Sequence, residues 1–159
     1  MQTITNKLGD WSYVIGPYKE PVGSIKPGEI FKIETLDAFG NQVDSSTSDI
    51  TKLIKMPFVN PLTGPIYVEG AQKGDALAVT IISVETTRDY GVSAIIPEFG
   101  GLCATPLTRT LNTPLPPRVM IYPIEDNSVI FSRDLNIAPI PYEPFYGTIG
   151  TAPEIEAIS

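Results

Sequence analysis

Apolar and polar positions alternate over short runs in this chain and almost never recur at helical spacing. No stretch longer than about ten residues keeps a 3.6-residue period without an interrupting proline or glycine, so long helices are not expected. Strand signals recur instead. Trp11-Ser12-Tyr13-Val14-Ile15 is aromatic and β-branched and stops at Gly16-Pro17. Over residues 29–36, Phe31, Ile33 and Thr35 share one side and Lys32 and Glu34 the other, a period of two. Residues 76–84 make the strongest predicted strand. Leu77, Val79 and Ile81 line one face, and Ala78, Thr80, Ile82 and Val84 the other. A strand apolar on both faces is expected at the centre of a sheet, covered on each side. Residues 118–124 and 128–131 are further predicted strands, separated by a turn at Glu125-Asp126-Asn127. The polar stretch 44–51 is expected to be an exposed loop with room for one helical turn. The pattern predicts an all-β, mainly antiparallel fold.

Two local features qualify that outline. Lys26-Pro27-Gly28-Glu29 precedes one predicted strand and Gln72-Lys73-Gly74-Asp75 another, each with a glycine and then a carboxylate. Glycine supplies the positive φ such turns often need. The pair reads either as two ordinary turns or as matching positions in a duplicated β unit. Asp37 has the parity of Phe31, Ile33 and Thr35. If the strand runs that far, a carboxylate ends the core-facing row, which is costly unless it is paired, hydrogen-bonded or metal-bound. If the strand stops at Leu36, Asp37 instead opens a turn through Ala38-Phe39-Gly40-Asn41.

Composition narrows the chemistry. At 159 residues the chain is expected to form one domain spanning 1–159. Its 16 prolines are roughly twice average usage, which favours short strands and turns. Eleven basic against 18 acidic residues give a net charge of −7, a poor match to nucleic acid or an anionic membrane surface. The longest apolar stretch is far short of the roughly 20 residues that cross a bilayer. The first residues lack a signal-peptide pattern, so a soluble, cytoplasmic protein is expected. There is no histidine and one cysteine. The chain by itself therefore makes no Ser-His-Asp triad, His-ligated zinc site, internal disulfide or iron–sulfur cluster.

Three segments remain as candidate chemistry. Asn60-Pro61-Leu62-Thr63-Gly64-Pro65-Ile66-Tyr67-Val68-Glu69-Gly70 combines a stiff backbone with small polar groups, suited to a pocket wall, a metal shell or an elaborate turn. Phe99-Gly100-Gly101-Leu102-Cys103 offers backbone N–H groups at Gly100 and Gly101 to a developing oxyanion. Cys103 is either a nucleophile activated from outside the chain or a small buried hydrophobe. In Gly147-Thr148-Ile149-Gly150 no Lys-Ser/Thr follows, so the segment is not a phosphate loop.

Read together, Glu34-Thr35-Leu36-Asp37-Ala38-Phe39, the run from Asn60 to Ala71, Gly74-Asp75 with its strand, and Gly147-Thr148-Ile149-Gly150-Thr151-Ala152-Pro153 resemble the acetamidase/formamidase family. The resemblance spans nearly the whole chain but about half of that family's length. It implies a β-sandwich-like half of a larger β-rich fold, completed by a second chain or segment expected to begin after Ser159. It implies hydrolysis of a small amide to ammonia or amine and a carboxylate, with a divalent metal (Zn or Ca) at the site. Carried over by position, Asp37 and Asn60 are the catalytic candidates and Asp37 and Glu34 the metal candidates; the segments read above place the pocket walls at Thr63, Gly64, Gly100, Gly101 and Cys103. Glu34 faces opposite to Asp37 by parity, so the two share a site only through a bulge or bend. The expected partner is the complementary C-terminal half, in a hetero-oligomer, a processed enzyme or an artificial fragment. A processed enzyme would expose an N-terminal nucleophile on the partner chain. The alternative is a β-sandwich binding or assembly module without chemistry.

Overall fold

The computed structural model describes residues 1–100, 115–155 and 157–158. Its elements in chain order are β1 (Gln2–Ile4), β2 (Val14–Ile15), β3 (Gly23–Ile25), β4 (Phe31–Ile33), α1 (Ile50–Leu53), β5 (Ile66–Val68), β6 (Tyr90–Ile95), β7 (Arg118–Glu125), β8 (Ser128–Val129), β9 (Ile140–Pro141) and β10 (Ala157–Ile158). The class is all-β. The chain divides into two compact units, one of residues 1–41, 56–83 and 146–159, the other of residues 42–55 and 84–145.

The first unit holds three two-stranded sheets. β1 runs parallel to β4, β3 parallel to β5, and β2 antiparallel to β10. The alternation read around Phe31 holds across β4, where Phe31 and Ile33 are half-buried and Lys32 is exposed. Ile4, at the end of β1, is the buried anchor of this unit, 2% exposed. A Cβ on Gly23 would stand 3.2 Å from Ile4 Cδ1, so the absent side chain is what lets β3 approach.

The echoed turns have the same geometry. The Glu29 N–H donates to the Lys26 carbonyl at 3.0 Å and the Asp75 N–H to the Gln72 carbonyl at 3.0 Å. Gly28 (φ 81°) and Gly74 (φ 98°) take the third position, as a type II turn requires. Each closing carboxylate reaches back to the first residue. Glu29 accepts from the Lys26 N–H at 2.9 Å and Asp75 from the Gln72 N–H at 2.8 Å.

The second unit is built on an antiparallel sheet in the order β6-β7-β8-β9. β6 and β7 pair over six positions, from Tyr90 opposite Pro123 to Ile95 opposite Arg118. Asp126 (φ 46°) and Asn127 (φ 59°) turn β7 into β8. Two successive positive φ values make a type I′ hairpin, whose twist matches that of its strands. Ser93 Oγ and Tyr122 Oη lie 2.9 Å apart across β6 and β7, and Tyr122 stacks on Phe131 at 5.6 Å between centroids. Val43, Ile50, Ile54 and Val119 form this unit's buried apolar residues. Residues 44–49 lead into the short helix α1, capped by the Asp49 side chain accepting from the Thr51 N–H.

Two expectations need correction. The predicted strand over 76–84 is not one: no strand is assigned there, and no hydrogen bond joins residues 76–83 to any described residue. Leu77, Val79, Ile81 and Ile82 are 45–70% exposed rather than covered. A strand exists only when a neighbour accepts and donates along its edge, and no described residue does so here. The core-facing reading of Asp37 also fails, because β4 ends at Ile33 and Asp37 belongs to a turn. β1, β3, β5, β6, β9 and β10 are not among the predicted strands, and the two parallel pairs depart from the expected antiparallel pattern.

Candidate active-site loops

Asp37 is half-buried and organises the turn that follows β4. Its Oδ1 accepts the N–H groups of Phe39 (2.9 Å) and Asn41 (2.7 Å), while Asn41 Oδ1 accepts the Asp37 N–H (3.1 Å). Gly40 (φ 66°) and Asn41 (φ 58°) are both left-handed, which the short Asn side chain tolerates. A carboxylate taking two backbone donors is what a reversal this tight needs.

The proline-rich loop 60–65 is bonded to this turn and to the N-terminal segment. The Asn60 N–H donates to the Ala38 carbonyl at 2.9 Å, and the Leu62 N–H to the Ser12 carbonyl at 2.8 Å. Thr63 Oγ1 donates to the Glu34 carbonyl at 2.7 Å. Glu34, Asp37, Asn60, Thr63 and Gly64 are thus brought onto two cross-bonded loops of one unit. The Glu34 carboxylate is exposed and 4.0 Å from Lys32 Nζ, a surface pair of little energetic weight.

The organiser of this arrangement is Asn6, a residue outside the candidates read from the sequence. It is 6% exposed, the buried polar residue among those described. Its Oδ1 accepts the Gly64 N–H at 2.9 Å, and its Nδ2 donates to the Asp10 carbonyl at 2.6 Å and more weakly to Leu62 at 3.4 Å. The available signal was parity: Asn6 lies two residues past Ile4, so it shares the buried side of the strand direction. A buried amide with nothing left unpaired fixes the approach of the loop.

Gly100 lies in the second unit, exposed and at φ 112°. It follows a turn in which the Phe99 N–H donates to the Ile96 carbonyl at 3.1 Å. Gly101 and Cys103 lie outside the described residues. The second unit also carries an open cavity of about 420 Å³ lined by residues 46–50 and 117–119, none of them a predicted site residue. On its rim the Thr51 hydroxyl and the Lys52 ammonium hold the Asp49 carboxyl at about 2, against 3.8 normally. Among the described residues no three His, Cys, Asp or Glu side chains gather as metal ligands. No described helix is long and apolar enough to cross a membrane.

A chain with these locked loops and β-pairings matches the family model of the Acetamidase/Formamidase family over residues 16–159. The chain belongs to that family. Among curated proteins, this acetamidase/formamidase chain is 37% identical over 70 residues to a formamidase of Methylophilus methylotrophus, 43% of this chain and 17% of that protein. It is 38% identical over 82 residues to a putative formamidase of Schizosaccharomyces pombe, 49% of this chain and 20% of that one. Among solved structures, an acetamidase from Yersinia enterocolitica superposes with a TM-score of 0.75 at 37% identity, over 93% of this chain and 44% of that one. A predicted acetamidase/formamidase from Thermoanaerobacter tengcongensis gives 0.76 at 30% identity, over 99% and 48%. The chain therefore spans about half the length of its solved relatives.

Proposed function

We propose that this chain is the N-terminal half of an amide hydrolase that releases ammonia or an amine and a carboxylate from a small amide, and that it works only with the complementary C-terminal half. The family match over residues 16–159 carries this reading. The amide-hydrolase class is supported by relatives named formamidase and acetamidase.

Water adds its oxygen to the amide carbonyl carbon, the C–N bond breaks, and the nitrogen leaves with a proton taken up from that water. This half supplies a wall. Asp37 and Asn60 are the groups we assign to the site on its side, with Thr63 and Gly64 shaping the pocket. Their loops are tied to each other and to Asn6, so they stand in place without substrate-driven ordering, which lowers the entropic cost of binding. The groups that activate water are assigned to the complementary half, since this chain has no histidine. The same holds for most ligands of any divalent metal. Asp37, and after it Glu34, are the carboxylates this chain would bring to it.

The test is ammonia release from formamide, acetamide and propionamide. One sample is the chain alone. The other is the chain fused to the part of the Yersinia enterocolitica acetamidase that it does not match. Release by the fusion and none by the chain is expected. A folded fusion that releases no ammonia refutes the hydrolase reading, and turnover by the chain alone refutes the need for a second half.

A further inference from the structure

We infer that residues 76–83 are the docking strand of this chain, the edge onto which a strand of the complementary C-terminal half adds. This rests on the reading above only in taking that half to exist. The segment reads Ala-Leu-Ala-Val-Thr-Ile-Ile-Ser, with β-branched residues at Val79, Thr80, Ile81 and Ile82 and no charge. Leu77 (45%), Val79 (63%) and Ile81 (49%) lie uncovered on one side by strand parity, and Ile82 (70%) on the other. Its backbone N–H and C=O groups bond to no described residue. An uncharged, unpaired, apolar run of this length is an aggregation template unless something covers it.

The turn that launches the segment carries the second line of evidence. Its twin, the turn at residues 26–29, delivers the chain into β4, which is paired along β1. Position for position, residues 77–79 stand after their turn where Phe31–Ile33 stand after theirs. The first of the two echoed segments therefore has its partner strand in this chain, and among the described residues the second does not.

Several features select the occupant. The edge offers main-chain hydrogen bonds and alternate apolar side chains, the chemistry of strand addition. The absence of charge over eight residues demands an apolar, uncharged strand opposite. A second copy of this chain is a poorer occupant, because each copy carries −7. The solved relatives are about twice as long as this chain, so their fold contains enough further chain to supply the strand.

Hydrogen exchange read by mass spectrometry tests the assignment, on the chain alone and on the fusion to the unmatched part of the Yersinia enterocolitica acetamidase. In the chain alone, amides at 76–83 exchange freely at every protein concentration. In the fusion, alternate amides or all of them slow by about a hundredfold or more. A second measurement uses Val79→Lys, which leaves the urea midpoint of the chain unchanged, because the side chain is uncovered there, and lowers that of the fusion. Free exchange at 76–83 in the fusion overturns the assignment. Protection in the chain alone overturns it as well, and a dependence on concentration would then identify a second copy as the occupant. The hydrolase reading is judged separately. Protection without ammonia release leaves the docking strand standing, and ammonia release without protection removes it.

Discussion

Asn6→Ala is the substitution whose cost follows most directly from the structure. The Asn6 side chain is buried and holds three backbone groups. Two of its bonds are short. Removing the side chain leaves the buried Gly64 N–H without an acceptor, a loss of about 1–3 kcal/mol. The Asp10 carbonyl lies on an exposed residue and water replaces the lost donor, so that bond contributes about 1 kcal/mol. The 3.4 Å contact to Leu62 adds little. The total is roughly 2–4 kcal/mol, a large share of the roughly 5–15 kcal/mol typical of a domain. Trp11, the single tryptophan and next to Asp10, reports on this region in a urea titration followed by fluorescence. Asn6→Asp sharpens the test. Its carboxylate still accepts from Gly64 but turns an oxygen toward the Asp10 carbonyl, so the folded state raises its pKa above the ordinary value of about 4. A raised pKa means the deficit is largest at neutral pH and shrinks as pH falls toward 4, where the protonated acid can donate. A loss under about 0.5 kcal/mol for Asn6→Ala, within the range of a plain surface change, would refute the role given to Asn6.

Other expectations concern the turns. Asp37→Asn keeps an acceptor for the Phe39 and Asn41 N–H groups and should leave stability within about 1 kcal/mol, whereas Asp37→Ala removes it and should cost about 1–3 kcal/mol. If Asp37→Asn in the fusion keeps full ammonia release, the charge of Asp37 has no part in the reaction. Asp49 should titrate near pH 2 in a carboxyl-detected NMR experiment, because the Thr51 hydroxyl and then Lys52 favour its ionised form. A depressed pKa contributes stability above pH 4 that is lost as pH falls through 2; a native midpoint near 4 would contradict the cap. Gly74→Ala meets no atom within 4 Å but must hold φ at 98°, so it should cost about 1–2 kcal/mol from backbone strain alone, as should Gly28→Ala at φ 81°. Thermal melts of both variants check this, and unchanged midpoints would mean the turns relax.

What the sequence made legible was local. The hairpin at Asp126 and Asn127 follows from residues that tolerate positive φ, flanked by β-branched and aromatic runs. The alternation around Phe31 survives in β4, shortened at both ends. Both echoed turns carry their instruction in four residues, glycine for the backbone and carboxylate for the free N–H. By contrast, β1, β3 and β5 are three residues each and pair in parallel with segments tens of positions away. Such pairing leaves no period to read, because a three-residue run alternates only once. The loops at Asp37 and Asn60 stood out through strand parity and a stiff, polar composition, and a family resemblance then gave them a role. Their cross-bonding was not readable, since it uses backbone carbonyls of Ala38, Ser12 and Glu34 that any residue would present.

The failure at residues 76–83 is of a different kind. A period and composition that predict a doubly covered strand describe what a segment is suited to, not what surrounds it. Leu77, Val79, Ile81 and Ile82 remain exposed, and the turn before them has the geometry that elsewhere delivers a paired strand. If the segment were merely a connection, nothing would favour eight uncharged residues with four of them β-branched, and the exposed apolar area would be a standing liability. The mismatch disappears when the sheet that residues 76–83 are suited to is taken to be completed by the other half of an acetamidase/formamidase fold. The proposal extends to the carboxylates of Asp37 and Glu34, which form no metal cluster by themselves among the described residues. The proposed C-terminal half would both cover the strand and complete the proposed site, and a fusion that buries 76–83 and releases ammonia would meet both requirements at once.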